Sequence, residues 1–254
     1  MQTNYDDRFP IGYAGQPATN GPKIYKTKKA LENMDFGIAT ELANLAGTTV
    51  RRPRADQFSI NGDVASGHTF GGTITVISKD GTKFVNAVNR PYATSHTATM
   101  TALKGDIEIL AGIGSVVLSN SNRTVTVTAN DDKIVILSVT LGGVAAPDLS
   151  YNFTGKFNAL NKQVDRQQDS NGEAQYERGG SVTQMTQGDM LVDVEEDFNT
   201  KSSVYVRIVE ETDKPCGSFR VSAGSPVVAV LWSEATFNNA GSAGSKAEIE
   251  INKP

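Results

Sequence analysis

Short runs of alternating apolar and polar residues cover most of this chain. In three of the clearest, residues 73–78, 124–128 and 204–209, an apolar residue occupies every second position. A strand with one face in a core shows this period of two, because successive side chains point to opposite faces of the sheet. The pattern therefore predicts a mainly β fold.

The strand pattern is most regular after residue 176. Candidate strands recur there at 190–194, 204–209, 227–231 and 247–251. Turn-forming residues, such as those of Lys214-Pro-Cys-Gly217, lie between them. Short strands at this spacing are typical of an antiparallel β-sandwich or barrel. We expect the C-terminal part of the chain to form a domain of that type.

One helix is expected in the middle of the chain. Met100, Leu103, Ile107 and Leu110 fall on one helical face, and Thr97 or Thr99 could serve as N-cap. Two candidate strands precede this helix and three follow it. The order ββαβββ predicts an α/β subdomain at residues 67–155, inserted into the β-rich domain.

The first 30 residues contain three prolines and three glycines but few periodic apolar positions. Such a segment is typical of an extended chain rather than a compact element. We therefore predict an N-terminal arm at residues 1–35. The remaining β-rich domain is then discontinuous and consists of residues 36–66 and 156–254.

Charge, cysteine content and hydropathy limit the classes of partner and of fold that this sequence allows. The net charge is −4, which favours neither nucleic acid nor an anionic membrane as a partner. The single cysteine, Cys216, excludes a disulfide within the chain. No stretch has the roughly 18 consecutive apolar residues of a membrane span, so we expect a protein that folds in a cytoplasm.

Two short basic clusters are the candidate docking positions. They comprise Lys26, Lys28 and Lys29 in one segment and Arg51, Arg52 and Arg54 in another. Each cluster can be a set of solvated loop charges or a contact with an acidic partner surface. Trp232, the only tryptophan, ends an apolar run and can be a core residue or an interface anchor.

The sequence contains few candidate catalytic residues. His68 and His96 lie among hydroxyl and glycine residues, an arrangement more typical of surface or hydrogen-bonded histidines than of catalytic ones. The acidic group at 193–197 lacks the glycine-centred loop of a calcium site, and no Cys/His spacing fits zinc. We therefore expect no enzyme activity, no cofactor and no bound metal.

Several segments occur together in an order that resembles the structural cement, or capsid decoration, proteins of tailed bacteriophages. They are Gly12-Tyr-Ala-Gly-Gln16, Asp35-Phe-Gly-Ile-Ala39, Tyr176-Glu-Arg-Gly179, Gln187-Gly-Asp-Met190, Ser203-Val-Tyr-Val-Arg207, Gly217-Ser-Phe-Arg220 and residues 235–244. Each segment is common in strands and turns, so the resemblance depends on their order. The middle of the chain, 67–155, is where we expect a departure from a compact family member.

The resemblance implies a virion protein on the outer capsid surface that bridges subunits of the major capsid protein and resides in the host cytoplasm during assembly. It also implies self-association, with a homo-trimer favoured and a dimer possible. Tyr13 and Gln16, in the arm motif, join the basic residues and Trp232 as candidate capsid or subunit contacts.

An alternative function is a virion module that binds the host surface or a carbohydrate. Tyr92, Tyr151 and Phe153 could offer an aromatic platform for such a ligand. The low aromatic content of the chain, 7%, weakens this alternative.

Overall fold

A computed structural model describes residues 14–19, 22–44, 46–130, 132–162 and 175–252. These residues form two compact units. The described residues within 1–53, 156–224 and 229–254 form unit 1, and those within 54–155 and 225–228 form unit 2. Tyr13 and the rest of the arm before residue 14 lie outside the described residues.

The described chain is mostly β-strand with one α-helix, which confirms the predicted fold class. In chain order the elements are β1 (Ile24–Ala30), β2 (Met34–Asp35), β3 (Ala39–Leu42), β4 (Thr49–Arg51), β5 (Gln57–Ile60), β6 (Thr69–Ile77), β7 (Lys83–Ala87), β8 (Arg90–Pro91), α1 (His96–Glu108), β9 (Ile113–Ser119), β10 (Thr124–Ala129), β11 (Ile134–Gly142), β12 (Leu149–Asn152), β13 (Phe157–Asn161), β14 (Gln175–Tyr176), β15 (Ser181–Asp193), β16 (Ser203–Arg207), β17 (Phe219–Arg220), β18 (Ala229–Phe237) and β19 (Lys246–Ile251).

Unit 1 contains a closed ring of five strands. Hydrogen-bonded pairing runs β1–β4–β3–β13–β15 and returns from β15 to β1. All of these pairs are antiparallel except β1–β4. Closure leaves these strands without a free sheet edge around the ring, which is how small barrels avoid edge-to-edge association.

The long strand β15 also belongs to a second array. Residues up to Gln187 pair with β1, and residues from Gly188 onwards pair with β19. The array continues β19–β18–β16–β17, and a bridge between Val194 and Phe219 brings β17 back beside the end of β15. Gly188 has φ +114°, and a Cβ there would lie 2.7 Å from Cγ of Lys23. The sequence therefore needs glycine where β15 changes partner.

Unit 2 combines α1 with two four-stranded sheets. One sheet has the order β12–β5–β10–β9, and the other has β11–β6–β7 with β8 also paired to β6. Met100, Leu103 and Ile107 of α1 are buried in a shared core with Phe58 and Phe70, among others. The predicted helix is confirmed, with Met100, Leu103 and Ile107 on its buried face, whereas Leu110 lies beyond the last helical residue, Glu108. The N-cap is Ser95, whose side chain accepts from the Ala98 amide, rather than Thr97 or Thr99.

The structure places the end of the predicted arm within the sheet. Residues 24–30 form β1, a member of the closed ring. Gly15 and Gln16 run along the second half of β15, with hydrogen bonds from the Gly15 amide to the Leu191 carbonyl and from the Leu191 amide to the Gln16 carbonyl.

Unit 2 begins at Arg54, whereas the predicted insert begins at residue 67. No helix among the described residues is long and apolar enough to cross a membrane.

A buried polar cluster lies in the first half of β15. Gln184 is fully buried and donates through Nε2 to Thr40 Oγ1 at 2.7 Å and to Asn161 Oδ1 at 3.1 Å. Its Oε1 accepts from Asn158 Nδ2 at 2.9 Å. The cluster joins β3, β13 and β15 through side chains, in addition to their backbone pairing. Such a satisfied network favours one strand register over its neighbours, because a slip would leave buried polar atoms unpaired.

We expect Gln184→Ala to lower the free energy of unfolding by about 2–4 kcal/mol, because it leaves a cavity and buried amide and hydroxyl groups without partners. Urea unfolding followed by fluorescence measures this change. Gln187→Ala, three positions along the same strand and partly exposed, is the matched control. Equal unfolding midpoints for the two variants would contradict the role given to the cluster.

Candidate functional site

Strand β1 presents the lysines of the first basic cluster. Lys26 and Lys29 are exposed and form no ion pair within the described residues, while Lys28 is partly buried and donates to the Gly47 carbonyl. Side chains alternate along a strand, so Lys26 and Lys28 share one face and Lys29 lies on the other. The structure thus brings two of the three lysines to one face.

The same strand carries exposed apolar groups that the sequence patterns did not single out. Ile24 is 49% exposed and Tyr25 is 37% exposed. Nζ of Lys162 lies 4.9 Å from the centroid of the Tyr25 ring, within the range of a cation–π interaction. Burial and the charge of Asp189 raise the pKa of the Tyr25 hydroxyl, so Tyr25 is neutral here. No local signal marks this pair, because Lys162 is distant in sequence and meets Tyr25 only through folding.

The arginines of the second cluster make contacts within the protein. Nε of Arg51 lies 2.7 Å from Oε1 of Glu41 on the neighbouring strand β3. Arg52 lies 3.3 Å from the Asp35 carboxylate and 3.4 Å from that of Glu210. Arg54, which belongs to unit 2, is 8% exposed. Their role as partner contacts stays a prediction, but the charges of Arg51 and Arg52 are balanced within unit 1.

Trp232 is a core residue of unit 1. Its side chain is 3% exposed, and its ring centroid lies 5.4 Å from that of Phe157 and 6.5 Å from that of Phe219. Its Nε1 atom is buried without a hydrogen-bond partner among the described residues. Of the two uses that the sequence left open, the structure shows burial in the core.

The acidic group at 193–197 is held by ion pairs. Arg207, 1% exposed, makes two hydrogen bonds to Glu195, at 2.7 Å from Nε and 2.6 Å from Nη2. Ser218 donates to the same carboxylate at 2.7 Å, and Arg220 binds Glu196. Burial alone would raise the pKa of Glu195, but the hydrogen bonds from Arg207 and Ser218 and the nearby guanidinium charges outweigh it and lower that pKa.

A cavity of about 490 Å³ lies beside this network in unit 1. Phe36, Ile38 and Phe219 line its apolar part, and Asp35, Asp193 and Glu195 are among its polar lining. All three carboxylates have a cationic partner, namely Arg52, Lys246 and Arg207 respectively. Within the described chain, no group of three or more His, Cys, Asp or Glu residues is placed to hold a metal ion.

Both histidines hold loops of unit 2. Nδ1 of His68 accepts from the Ala65 amide at 3.0 Å, and its Nε2 lies 3.2 Å from the Val144 carbonyl. Nδ1 of His96 accepts from the Val64 amide at 3.1 Å, and its Nε2 lies 3.3 Å from the Ser121 carbonyl. A neutral imidazole with the proton on Nε2 satisfies both contacts in each case. Each ring therefore connects two backbone segments.

The described residues form mostly β-strands. Most of the charged side chains named above form ion pairs, and both histidine rings make hydrogen bonds to backbone groups. The family model for the structural cement protein (E217 gp24/Pam3 gp6) matches residues 92–252. This range is more than half of the chain, and the chain belongs to the phage structural cement protein family. Membership of this family implies a structural role in the stability of a phage capsid and a place in the virion.

The matched range takes in α1 and β9–β12, within the segment where we expected a departure from the family. Gln16 and both basic clusters lie outside it.

One solved structure, entitled "The capsid of Myoviridae Phage XM1", has a chain that aligns with all of this one and with 98% of its own length. The TM-score is 0.46 and the sequence identity is 10%, so this likeness carries no argument. No curated protein matches the chain.

We expect Glu195→Gln to lower the free energy of unfolding by about 3 kcal/mol at pH 7, because it removes the carboxylate that binds the buried Arg207 through two hydrogen bonds and leaves the exposed Glu211, at 3.4 Å, as the remaining carboxylate beside that guanidinium. The folded pKa of Glu195 lies below its unfolded value of about 4.3, so the pair stabilises the fold above that pH. The stabilisation is lost as the pH falls through the folded value. Urea unfolding between pH 3 and pH 7 measures this, and the two curves should converge at the acid end.

Glu177→Gln is the control for this comparison, because Glu177 is exposed. Its free energy of unfolding should stay within about 0.5 kcal/mol of the parent value. A constant difference between Glu195→Gln and the parent at every pH would contradict the assignment of the ion pair.

We expect Trp232→Ala to destabilise the fold of unit 1 by about 3–5 kcal/mol, because the substitution leaves a cavity beside Phe157 and Phe219. Trp232→Phe keeps an aromatic ring there and removes an indole N–H that has no described partner, so its cost should be smaller. Thermal unfolding of both variants tests this. A Trp232→Ala protein with parental stability would show that the indole is not a core group.

Proposed function

We propose that this protein decorates the outer surface of a phage capsid and bridges neighbouring subunits of the major capsid protein. The observation that carries the proposal is the cement-family match over residues 92–252. A protein that contacts two shell subunits at once stabilises the shell, since separating the subunits then also requires breaking its own contacts. This bridging requires at least two contact surfaces, or self-association of the protein.

The exposed residues of β1, which lie on both faces of the strand, form the surface we assign to the shell. Lys26 and Lys29 carry charges without an ionic partner in the described chain, and Ile24 and Tyr25 add exposed apolar area beside them. The strand is fixed in the closed ring by β15 and β4, so these side chains are presented from a rigid base. The expected complement is an acidic surface with an apolar centre.

Self-association completes the proposal. The resemblance implies a homo-trimer, and a dimer satisfies the same mechanical requirement. Each copy in an oligomer brings its own shell contact, and linking such contacts raises avidity by about 10² to 10⁴ over a single one when the geometry fits. Individually weak contacts on β1 are then sufficient.

The alternative function, binding to a host surface or a carbohydrate, has less support. The Tyr151 hydroxyl donates to the Val139 carbonyl at 2.6 Å, and Phe153 is 7% exposed. Tyr92 and Tyr151 are partly buried against the core of unit 2. These three rings are engaged in the fold rather than displayed as a platform.

We expect the double variant Lys26→Glu/Lys29→Glu to bind cement-free shells at least about tenfold more weakly than the parent, because two attractive charges become repulsive. Co-sedimentation of purified protein with stripped shells, at several salt concentrations, measures the binding. The parent should also weaken as salt rises, since exposed charges are screened.

Lys201→Glu is the matched control, because Lys201 is an exposed lysine of the same unit, outside β1. It should bind as the parent does. Unchanged binding by the double variant would remove β1 from the contact, and binding of the parent to host envelopes instead of shells would favour the alternative function.

A further inference from the structure

The cavity of about 490 Å³ in unit 1 lies where the described part of the N-terminal segment begins. Ala14, the first described residue, lines it together with Phe36, Ile38 and Phe219. The last three side chains give the cavity an apolar wall. Removing apolar surface from water is favourable, so this wall favours an apolar occupant.

The chain before β1 approaches the cavity along β15. Pro17 pairs with Met190 in antiparallel orientation, and the Gly15 amide donates to the Leu191 carbonyl at 2.7 Å. In an antiparallel pair, each step towards the N-terminus of one segment is a step towards the C-terminus of the other. From Pro17 to Gly15 the chain therefore advances towards Asp193, the last residue of β15, which also lines the cavity.

Strand β17 occupies the continuation of this path. Hydrogen-bonded positions alternate along a strand, so Glu195 directs its backbone to the same edge as Leu191. At that edge the Glu195 amide donates to the Phe219 carbonyl of β17 at 3.0 Å. A chain that continues from Ala14 therefore has to turn away from β15, either into the cavity or out to solvent.

Gly37 allows the described segment to lie directly against the cavity wall. It has φ +71°, and a Cβ there would lie 2.6 Å from the Gly15 nitrogen and 2.8 Å from Cβ of Ala14. Any side chain at this position would therefore displace the segment. Because Gly37 itself lines the cavity, this close approach fixes Ala14 at the cavity wall.

We propose that Phe9-Pro-Ile-Gly-Tyr13, the five residues directly before Ala14, occupy this cavity in the same chain. The stretch carries no charge, and three of its five residues have large apolar or aromatic side chains. A proline favours an extended conformation in the residue before it, and alternate residues of an extended chain share one face. Phe9, Ile11 and Tyr13 then meet the apolar wall together, which favours the cavity over solvent. Five extended residues span about 17 Å, so the whole stretch stays close to Ala14.

Charge and attachment favour this segment over a separate partner. The carboxylates of Asp35, Asp193 and Glu195 in the cavity lining have cationic partners within the protein, so an uncharged occupant leaves no new imbalance. A segment attached at the cavity wall is also present at an effective concentration of roughly millimolar order, at which weak contacts are sufficient. Tyr13 then makes a contact within its own chain, and β1 remains the surface assigned to the shell.

Amide hydrogen exchange of the full-length protein tests whether the cavity is covered. Ile11→Asp should uncover it, because an unpaired carboxylate is costly in an apolar site. The amides of Gly37 and Glu195, which form hydrogen bonds at the cavity wall, should then exchange at least about fivefold faster than in the parent. Exchange at Val127, in unit 2, should not change. Thr3→Asp adds the same charge outside the apolar stretch and should behave as the parent at all three amides.

A cross-link tests which chain supplies the segment. Lys214 is an exposed residue of the cavity lining, so Ile11→Cys combined with Lys214→Cys should react with a short bis-maleimide to give a product of monomer mass. Thr3→Cys combined with Lys214→Cys is the control and should cross-link at least about tenfold more slowly. The native Cys216 is buried and does not compete. A product of dimer mass would assign the segment to a second copy and overturn the proposal, as would the absence of any product.

Equal exchange at Gly37 and Glu195 in Ile11→Asp and in the parent would also overturn it. Shell binding separates this inference from the proposed function, because Ile11→Asp leaves β1 unchanged and should co-sediment with stripped shells as the parent does. Loss of shell binding by Ile11→Asp without faster exchange at the cavity would assign the segment to the shell instead. A parent protein that fails to bind shells would contradict the proposed function and leave the cavity result standing.

Discussion

The sharing of one long strand between two sets of partners is the constraint on which unit 1 depends. β15 closes the five-stranded ring through β1 and β13, and its second half carries β19 and the array that follows. A change in the register of β15 would therefore displace both sets at once. The buried amide of Gln184 fixes that register in the ring, and Gly188 allows the change of partner without a steric clash. The ring in turn holds β1, the strand whose lysines we assign to the shell.

The charged groups of unit 1 divide into two kinds. Arg207 with Glu195 and Arg52 with Asp35 link separate segments of the chain, and the burial of Arg207 and Glu195 makes that pair costly to break. Lys26 and Lys29 lack such partners in the described chain and remain exposed on the ring. This division suits a protein that has to remain folded while it binds, because the charges used for docking are not those that support the fold. The shell can then neutralise the β1 lysines without disturbing an internal ion pair.

The proposed contact on β1 depends on side-chain charge and is expected to weaken with salt. It would be weak alone, since two lysines provide little area. Used by several copies on one shell, such contacts would reinforce each other through effective concentration. A cement protein then needs no single extensive interface to stay attached.

The sequence alone was sufficient for the fold class, the buried face of α1 and the family, because each depends on local periodicity or on the order of short motifs. The apolar positions Met100, Leu103 and Ile107 specify one helical face whatever surrounds them. The sequence could not decide what the basic clusters do, since a lysine in β1 and an arginine beside Glu41 look alike until strand pairing brings the carboxylate near. It also could not show that residues 24–30 close a ring, that Trp232 meets Phe157 and Phe219, or that β7 pairs only with β6 among the described strands. Those facts follow from pairings between distant segments, and only the tertiary structure determines which strand becomes the neighbour of which.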